Sequence, residues 1–236
     1  MEEKVRSVEM VGGETVAQKI FDSVVKNYDP FLTTTTFGFI DQWQNELINN
    51  VPSGELFVDI GTGTGEIVKK VNRVYPETKV VGIDVSMNML RKAIEKTEGD
   101  PRDFFVRASA LKMPFKDKSV DAVLSSLTFR HLPLDEAAKE INRVLKDGGY
   151  FGILDIVKPP SRKLYKAVNI FATKIFRPIG TSIFSKEEYE YFMESIEKAL
   201  SPDALRVALS DYSFKQEYQV TKFFGMITIS IFRKVQ

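Results

Sequence analysis

The sequence predicts an α/β fold on a mostly parallel, doubly wound sheet, and three observations carry that prediction. Strand-like and helix-like stretches alternate from residue 56 to residue 157, the pattern of successive βαβ units. The first strand, Leu56 to Ile60, carries Asp59 and runs straight into the turn Gly61-Thr62-Gly63-Thr64-Gly65, which opens a helix. The chain closes with two β-rich runs, Ser213–Val220 and Phe224–Lys234, separated by Thr221-Lys222-Phe223. These read as an antiparallel hairpin added to the parallel core.

Taken in order, residues 1–13 read as a tail. Val16, Ile20, Phe21, Val24, Val25 and Tyr28 keep helical spacing, and Asp29-Pro30 is expected to stop that helix. Thr33 to Thr36 form a polar connector to a second amphipathic segment, Phe37 to Asn50. Pro52-Ser53-Gly54 separates this helical cap (1–53) from a cofactor-binding core (54–158). A helix from Gly65 to Tyr75 follows strand one, and strand two is Lys79–Asp84. Ser86 is the expected N-cap of a helix Met87–Lys96. Strand three is Asp103–Arg107 and strand four Ser119–Ser125. A helix from Leu134 to Leu145 is expected to end at Gly148-Gly149, before strand five, Tyr150–Val157. Pro159-Pro160 opens a helical insertion (159–211) with patches at Ser161–Phe176, Lys186–Leu200 and Pro202–Ser210. Residues 212–236 hold the hairpin, and the whole reads as one domain.

Composition narrows the function classes. The chain has 236 residues, 43% of them hydrophobic, which is enough for one sizeable core. A net charge of +1 gives no global pull toward nucleic acid, so no nucleic-acid partner is expected. The absence of cysteine excludes disulfides, thiolate metal sites and cysteine nucleophiles, and no metal site is expected. No apolar run reaches the length of a membrane span, and the N-terminal residues lack a signal-peptide core. The expected location is cytoplasmic.

The glycine turn points to a ribosylated cofactor. Its glycines permit positive φ and let a ligand lie on the backbone at a helix N-terminus. Asp84 follows Gly65 by about 20 residues, where a ribose-binding carboxylate falls in a nucleotide-binding βαβ unit. Glu66 occupies the place of the third glycine of a dinucleotide fingerprint, and no phosphate-loop lysine follows. An acid before the turn and an acid closing the next strand instead resemble the first two motifs of class I S-adenosylmethionine-dependent methyltransferases. That resemblance implies a Rossmann-like seven-stranded sheet, S-adenosylmethionine as cofactor and S-adenosylhomocysteine as product. It also implies a cofactor site from Asp59, Gly61, Thr62, Gly63, Gly65, Asp84, Val85, Met87, Ser109, Ala110, Ser125 and Ser126, with Tyr28 closing over it. The family often carries an acid or amide where this chain has Ser109.

Residues outside the core narrow the resemblance. Ile20 to Asp29, then Phe37-Gly38 and Trp43, look like the opening of the ubiquinone/menaquinone biosynthesis C-methyltransferases of the UbiE type. Leu127-Thr128-Phe129-Arg130-His131 stands against a family pattern Phe-Gly-x-Arg-Asn, and Tyr189-Glu190-Tyr191-Phe192-Met193-Glu194-Ser195-Ile196 is similar to the family's Tyr-x-Tyr-Leu-x-x-Ser-Ile. Thr128 and His131 depart from that pattern. The implied substrate is a small apolar aromatic ring, a prenylated quinol. Arg130 is the candidate to stabilise its phenolate and His131 to take its proton. Phe37, Phe39, Trp43, Phe171, Tyr189 and Tyr191 are candidates to hold the ring and its tail.

Other readings stay open on the sequence. A small-molecule O- or N-methyltransferase would use the same motifs; a nicotinamide oxidoreductase or a non-catalytic cofactor-binding protein would share only the crevice. Leu164, Val168, Phe171, Ile175 and Phe176, interleaved with lysines, form a face for peripheral membrane contact, an active-site lid or a homodimer.

Overall fold

The computed structural model describes Asp22, Val25 and residues 28–97, 102–158 and 185–236, with only the backbone of Lys186–Tyr189 and Phe192. One seven-stranded sheet runs in the order β3-β2-β1-β4-β5-β7-β6, with β1 Leu56–Ile60, β2 Lys79–Asp84, β3 Asp103–Arg107, β4 Val120–Ser126, β5 Leu145–Ile156, β6 Phe214–Lys222 and β7 Ile227–Lys234. β1 to β5 pair in parallel, whereas β7 lies antiparallel to both β5 and β6. The strand order reverses between β1 and β4, so the crevice of such a fold falls at the carboxyl ends of these strands. The expected seven-stranded, mostly parallel sheet with a C-terminal hairpin is the one observed.

Helices cover both faces, as near-continuous apolar strands such as Phe57-Val58 and Val123-Leu124 require. On one face α1 (Phe39–Asn49) and α2 (Glu66–Val74) bury Leu47, Ile48, Ile67, Val68 and Val71 against Phe57, Leu124, Leu154 and Ile229. On the other, α4 (Leu134–Val144) and α6 (Pro202–Ser210) bury Ile141, Val144 and Leu209 against Val123, Phe151 and Phe232. Each such fully buried aliphatic side chain contributes about 2 kcal/mol. α3 (Met87–Lys96) starts as expected at Ser86, whose hydroxyl accepts from the Met89 amide at 3.1 Å. α5 (Lys186–Lys198) packs against a 3₁₀ turn, Phe129–His131.

Four expected boundaries are corrected. Asp29-Pro30 does not stop the first helix, because helical backbone occupies 28–35. The threonines meant as a connector sustain it: the Thr35 hydroxyl donates to the Phe31 carbonyl at 2.7 Å and the Thr36 hydroxyl to Leu32 at 2.6 Å. The helix stops at Phe37 and Gly38, with φ of 53° and 77°. β5 begins at Leu145, not after the glycines; Gly148 (φ 80°) and a register irregularity opposite Val120 and Ala122 let the strand kink without ending. β6 continues through Lys222, so the hairpin turns at Phe223–Gly225 instead. The patch at 161–176, including Phe171, lies outside the described residues.

Candidate active site

The glycine turn after β1 is shaped by contacts on three sides. Gly61, Gly63 and Gly65 have φ of 61°, 53° and 83°. A Cβ on Gly61 would stand 2.3 Å from the Thr128 side chain, and one on Gly65 would meet Ala93 at 3.0 Å. A Cβ on Gly63 would meet nothing within 4 Å, so that backbone faces open space. The Gly63 amide donates to Asp84 at 2.9 Å, and the Ser86 amide donates to the other oxygen of the same carboxylate at 2.8 Å. Two turns from different strands are therefore joined through one side chain. Burial pushes Asp84 up to about 6, against the pull of these amides. Asp59, beneath the turn, is pushed up to about 7 by burial, opposed by the neighbouring Thr62 hydroxyl and reinforced by Asp84. One Asp59 oxygen and the Ser125 hydroxyl are buried without a hydrogen-bond partner.

The cap segment reaches this turn. Asp22 accepts from the Ser86 hydroxyl at the start of α3. Asp29 accepts from the Thr64 hydroxyl at 2.7 Å and from Lys96 at 2.7 Å, and Lys96 also meets Glu66 at 2.5 Å. Burial opposes the charge of Lys96, but its two carboxylate partners prevail and raise its pKa. Tyr28, the residue before Asp29, lines the cleft. Burial pushes its hydroxyl up to about 12 although the Arg130 charge pulls the other way.

The far wall is the 3₁₀ turn. The Arg130 guanidinium donates to Asp155 at 2.6 Å and to the Leu127 carbonyl at 2.7 Å, with Ser195 of α5 at 3.4 Å. The Arg130 amide donates to the second Asp155 oxygen at 2.9 Å. Both side chains are almost fully buried, at 7% and 4% exposure, so this is an interior ion pair. His131 stacks on Tyr191, with ring centroids 5.4 Å apart and planes at 9°. Burial, then the Arg130 charge, holds the His131 imidazole well below its usual range, so it is neutral at pH 7.

These walls enclose a cleft of about 630 Å³, open solvent included, lined by Tyr28, Gly61, Gly63, Asp84, Val85, Met89, Ala108, Ala110, Thr128, His131 and Leu132. Of the residues anticipated for the cofactor, Tyr28, Gly61, Gly63, Asp84, Val85 and Ala110 meet here. Met89, two positions on from Met87, supplies the methionine of the described lining. Ser109 is 1% exposed, and its hydroxyl accepts from the Leu111 amide at 2.9 Å, shaping the loop that presents Ala108 and Ala110. Thr62 lies against Gly82, and Ser126 accepts from Gln44 at 3.2 Å. Of the residues anticipated for the acceptor, Tyr191 reaches His131, Trp43 is buried, Phe37 is 64% exposed on the outer surface, and the Tyr189 side chain is outside the description.

Sequence reasoning did not single out Asp22, Lys96, Asp155 or Gln44. The partners of Asp155 and Gln44, on β4 and the following turn, are remote in sequence, and no local pattern marks them.

A carboxylate closing β2 and able to accept from two ribose hydroxyls, an open backbone at Gly63 and an apolar wall from Val85, Met89 and Ala110 fit the ribose and adenine of S-adenosylmethionine. With this strand order, they define a class I S-adenosylmethionine-dependent methyltransferase. Solved structures share the fold: a Haloferax volcanii methyltransferase in complex with its Trm112 activator (TM-score 0.64, 18% identity, covering 91% of this chain and 98% of that one), and geranyl diphosphate C-methyltransferase of Streptomyces coelicolor with S-adenosyl-L-homocysteine (TM-score 0.62, 14% identity, covering 82% and 79%). The chain belongs to the ubiE/COQ5 methyltransferase family, whose profile matches residues 9–234. Similar relatives are the demethylmenaquinone methyltransferase of Thermotoga maritima (28% identity over 216 residues, 89% of this chain and 93% of that protein) and the ubiquinone/menaquinone biosynthesis C-methyltransferase UbiE of Escherichia coli K12 (29% over 233 residues, 91% and 92%).

Proposed function

We propose that this chain methylates a ring carbon of a prenylated hydroquinone in quinone biosynthesis. The observation that supports this best is the position of His131: neutral, stacked on Tyr191, beside Arg130, and lining the same cleft as Gly63 and Asp84. Family membership and the activities named for the relatives point the same way.

S-adenosylmethionine supplies an electrophilic methyl group when bound. Asp84 would hold its ribose, with the Gly63 amide fixing the carboxylate, and Val85, Met89 and Ala110 would flank the adenine. A hydroquinone carbon becomes nucleophilic when a ring hydroxyl loses its proton. His131, kept unprotonated, offers the lone pair that receives that proton. The Arg130 cation favours the negative charge that then spreads onto oxygen and ring carbon. Asp155 offsets part of that field while fixing the turn that carries both residues. Tyr28 and Tyr191 supply apolar walls that keep water from the ring.

The test is incubation with S-adenosylmethionine and demethylated prenyl hydroquinones under reducing conditions, with mass spectrometry and NMR to locate the new methyl. A methyl on carbon is expected. His131→Gln should lower kcat by about 100-fold while leaving calorimetric binding of S-adenosylhomocysteine unchanged. A methyl found only on oxygen or nitrogen would overturn the assignment.

A further inference from the structure

We propose that the aromatic cluster of Phe37, Phe39, Phe223 and Phe224 docks this chain on a lipid bilayer, with the crevice edge of the sheet turned toward the lipid. Phe224 is 72% exposed, Phe37 64% and Phe39 45%, the three most exposed phenylalanines among the described residues save Phe104. They form one group: Phe37 lies 6.3 Å from Phe223, Phe223 5.9 Å from Phe224, and Trp43 6.0 Å from Phe223 and 6.1 Å from Phe39. Isolated exposed apolar residues are ordinary, but a contiguous aromatic patch marks an interaction surface.

The backbone supports a partner outside the fold. Phe37, Phe223 and Phe224 all have positive φ, at 53°, 48° and 56°. Such residues are strained, and packing does not reward strain that leaves Phe37 and Phe224 in water. The cluster is borne on two turns, one entering α1 and one joining β6 to β7, and not on a flat helix or strand face.

Its place in the fold selects lipid over a second protein. Ile227 pairs with Ile156 and the Val157 amide donates to Met226, so the Phe223–Gly225 turn sits at the carboxyl end of β5. That is the edge on which the crevice opens. Behind the exposed rings Trp43, only 6% exposed, shares a core cluster with Leu127, whose neighbour Thr128 lines the cleft. Packed apolar side chains therefore lie between this surface and the turn that carries Thr128. The rim carries Lys158, whose amide donates to half-exposed Leu200, and Lys222, bridged to Glu46 at 3.0 Å. Exposed aromatics with exposed Lys158 at their rim suit the headgroup region of an anionic bilayer, the Lys222 charge being already matched by Glu46. No helix among the described residues is long and apolar enough to cross a membrane. The choice of lipid rests on the reading of the acceptor as apolar, since such a molecule resides in the bilayer.

Flotation of the full chain with phosphatidylcholine–phosphatidylglycerol vesicles, and with phosphatidylcholine alone, tests this. Binding to the mixed vesicles is expected, weaker on phosphatidylcholine, and reduced about tenfold in Phe37→Ser/Phe224→Ser. Calorimetry with S-adenosylhomocysteine verifies that the variant is folded, and Phe224→Ser alone serves if the double variant is not. Absence of vesicle binding, or binding undiminished in a folded variant, overturns the proposal. So does sedimentation showing a dimer that the variant dissolves, which would make the face an interface between copies. A tail-less hydroquinone in solution separates the two readings: wild type and the single Phe224→Ser variant should methylate it equally. If no quinol is methylated while vesicle binding persists and depends on the cluster, the acceptor assignment fails and the docking surface stands.

Discussion

The two walls of the cleft are built on opposite principles. The cofactor wall is short-range: Gly61 to Gly65 follow β1, Asp84 closes β2, and amides at Gly63 and Ser86 meet one carboxylate. The wall bearing Arg130 and His131 is long-range, since Arg130 depends on Asp155 of β5 and Ser195 of α5, and His131 on Tyr191 of α5. The first wall can be assembled from one βαβ unit. The second exists only when the sheet and the helix after the insertion have both formed. In the proposed reading, a cofactor common to many methyltransferases would thus sit on local geometry, while the acceptor side would depend on tertiary structure.

The largest effect should come from breaking the second wall. Asp155→Ala leaves Arg130 buried at 7% exposure without its carboxylate, a loss of about 3–5 kcal/mol. Urea denaturation would measure it. The pair Asp155→Leu with Arg130→Met should recover most of that stability, because an apolar pair leaves no unmatched charge, yet it should remain catalytically impaired. A loss under about 1 kcal/mol for Asp155→Ala would mean that solvent reaches Arg130 and the contrast between the walls is overstated.

Breaking the first wall should affect binding more than folding. Asp84→Asn keeps an acceptor for one amide but removes the charge, and affinity for S-adenosylhomocysteine should fall at least about tenfold. The wild-type affinity should also depend on pH. The Asp84 carboxyl sits at about 6 before binding, and the ribose hydroxyls favour its ionised form. Below about 6 the proton must leave for the ligand to bind, so affinity falls with decreasing pH, by at most about tenfold per unit. Well above 7, once Asp59 has also ionised, the profile should be flat. Calorimetry between pH 5 and 8 in buffers of different ionisation enthalpy would show the proton release. The Asp84→Asn variant should lose the step near 6.

The same contrast explains what could be read in advance. The alternation of strands and helices, Asp84 closing β2, Ser86 as N-cap and the glycine turn follow from local spacing, and all are found where the sequence puts them. Asp29-Pro30 misled because threonine hydroxyls bonding back to Phe31 and Leu32 sustain a helix that proline usually ends. Gly148-Gly149 misled because glycines that usually end an element here kink a strand within one. Met89, two positions on from Met87, lines the cleft and was not singled out in advance. Asp155 and Gln44 were out of reach altogether: nothing near them in sequence distinguishes a buried acid that holds an arginine from one that caps a turn.

The smallest expected effect concerns the cap, which joins the cofactor wall through Asp29. Lys96 bridges Asp29 and Glu66 at 22% exposure, and Asp29 also takes the Thr64 hydroxyl. Because these side chains are partly solvated, Lys96→Met should cost only about 0.5–1 kcal/mol of stability. Its consequence should be kinetic. Tyr28, which lines the cleft, is the residue before Asp29, so loosening Asp29 frees a segment of the cleft wall that would cover the cofactor. Dissociation of S-adenosylhomocysteine, followed by stopped-flow fluorescence, should speed up by a few-fold while association changes less. An unchanged dissociation rate in a folded Lys96→Met variant would show that the bridge merely decorates the surface, and that the Thr64 hydroxyl and Ser86–Asp22 contact suffice to hold the cap. Local geometry would then carry the cofactor side alone.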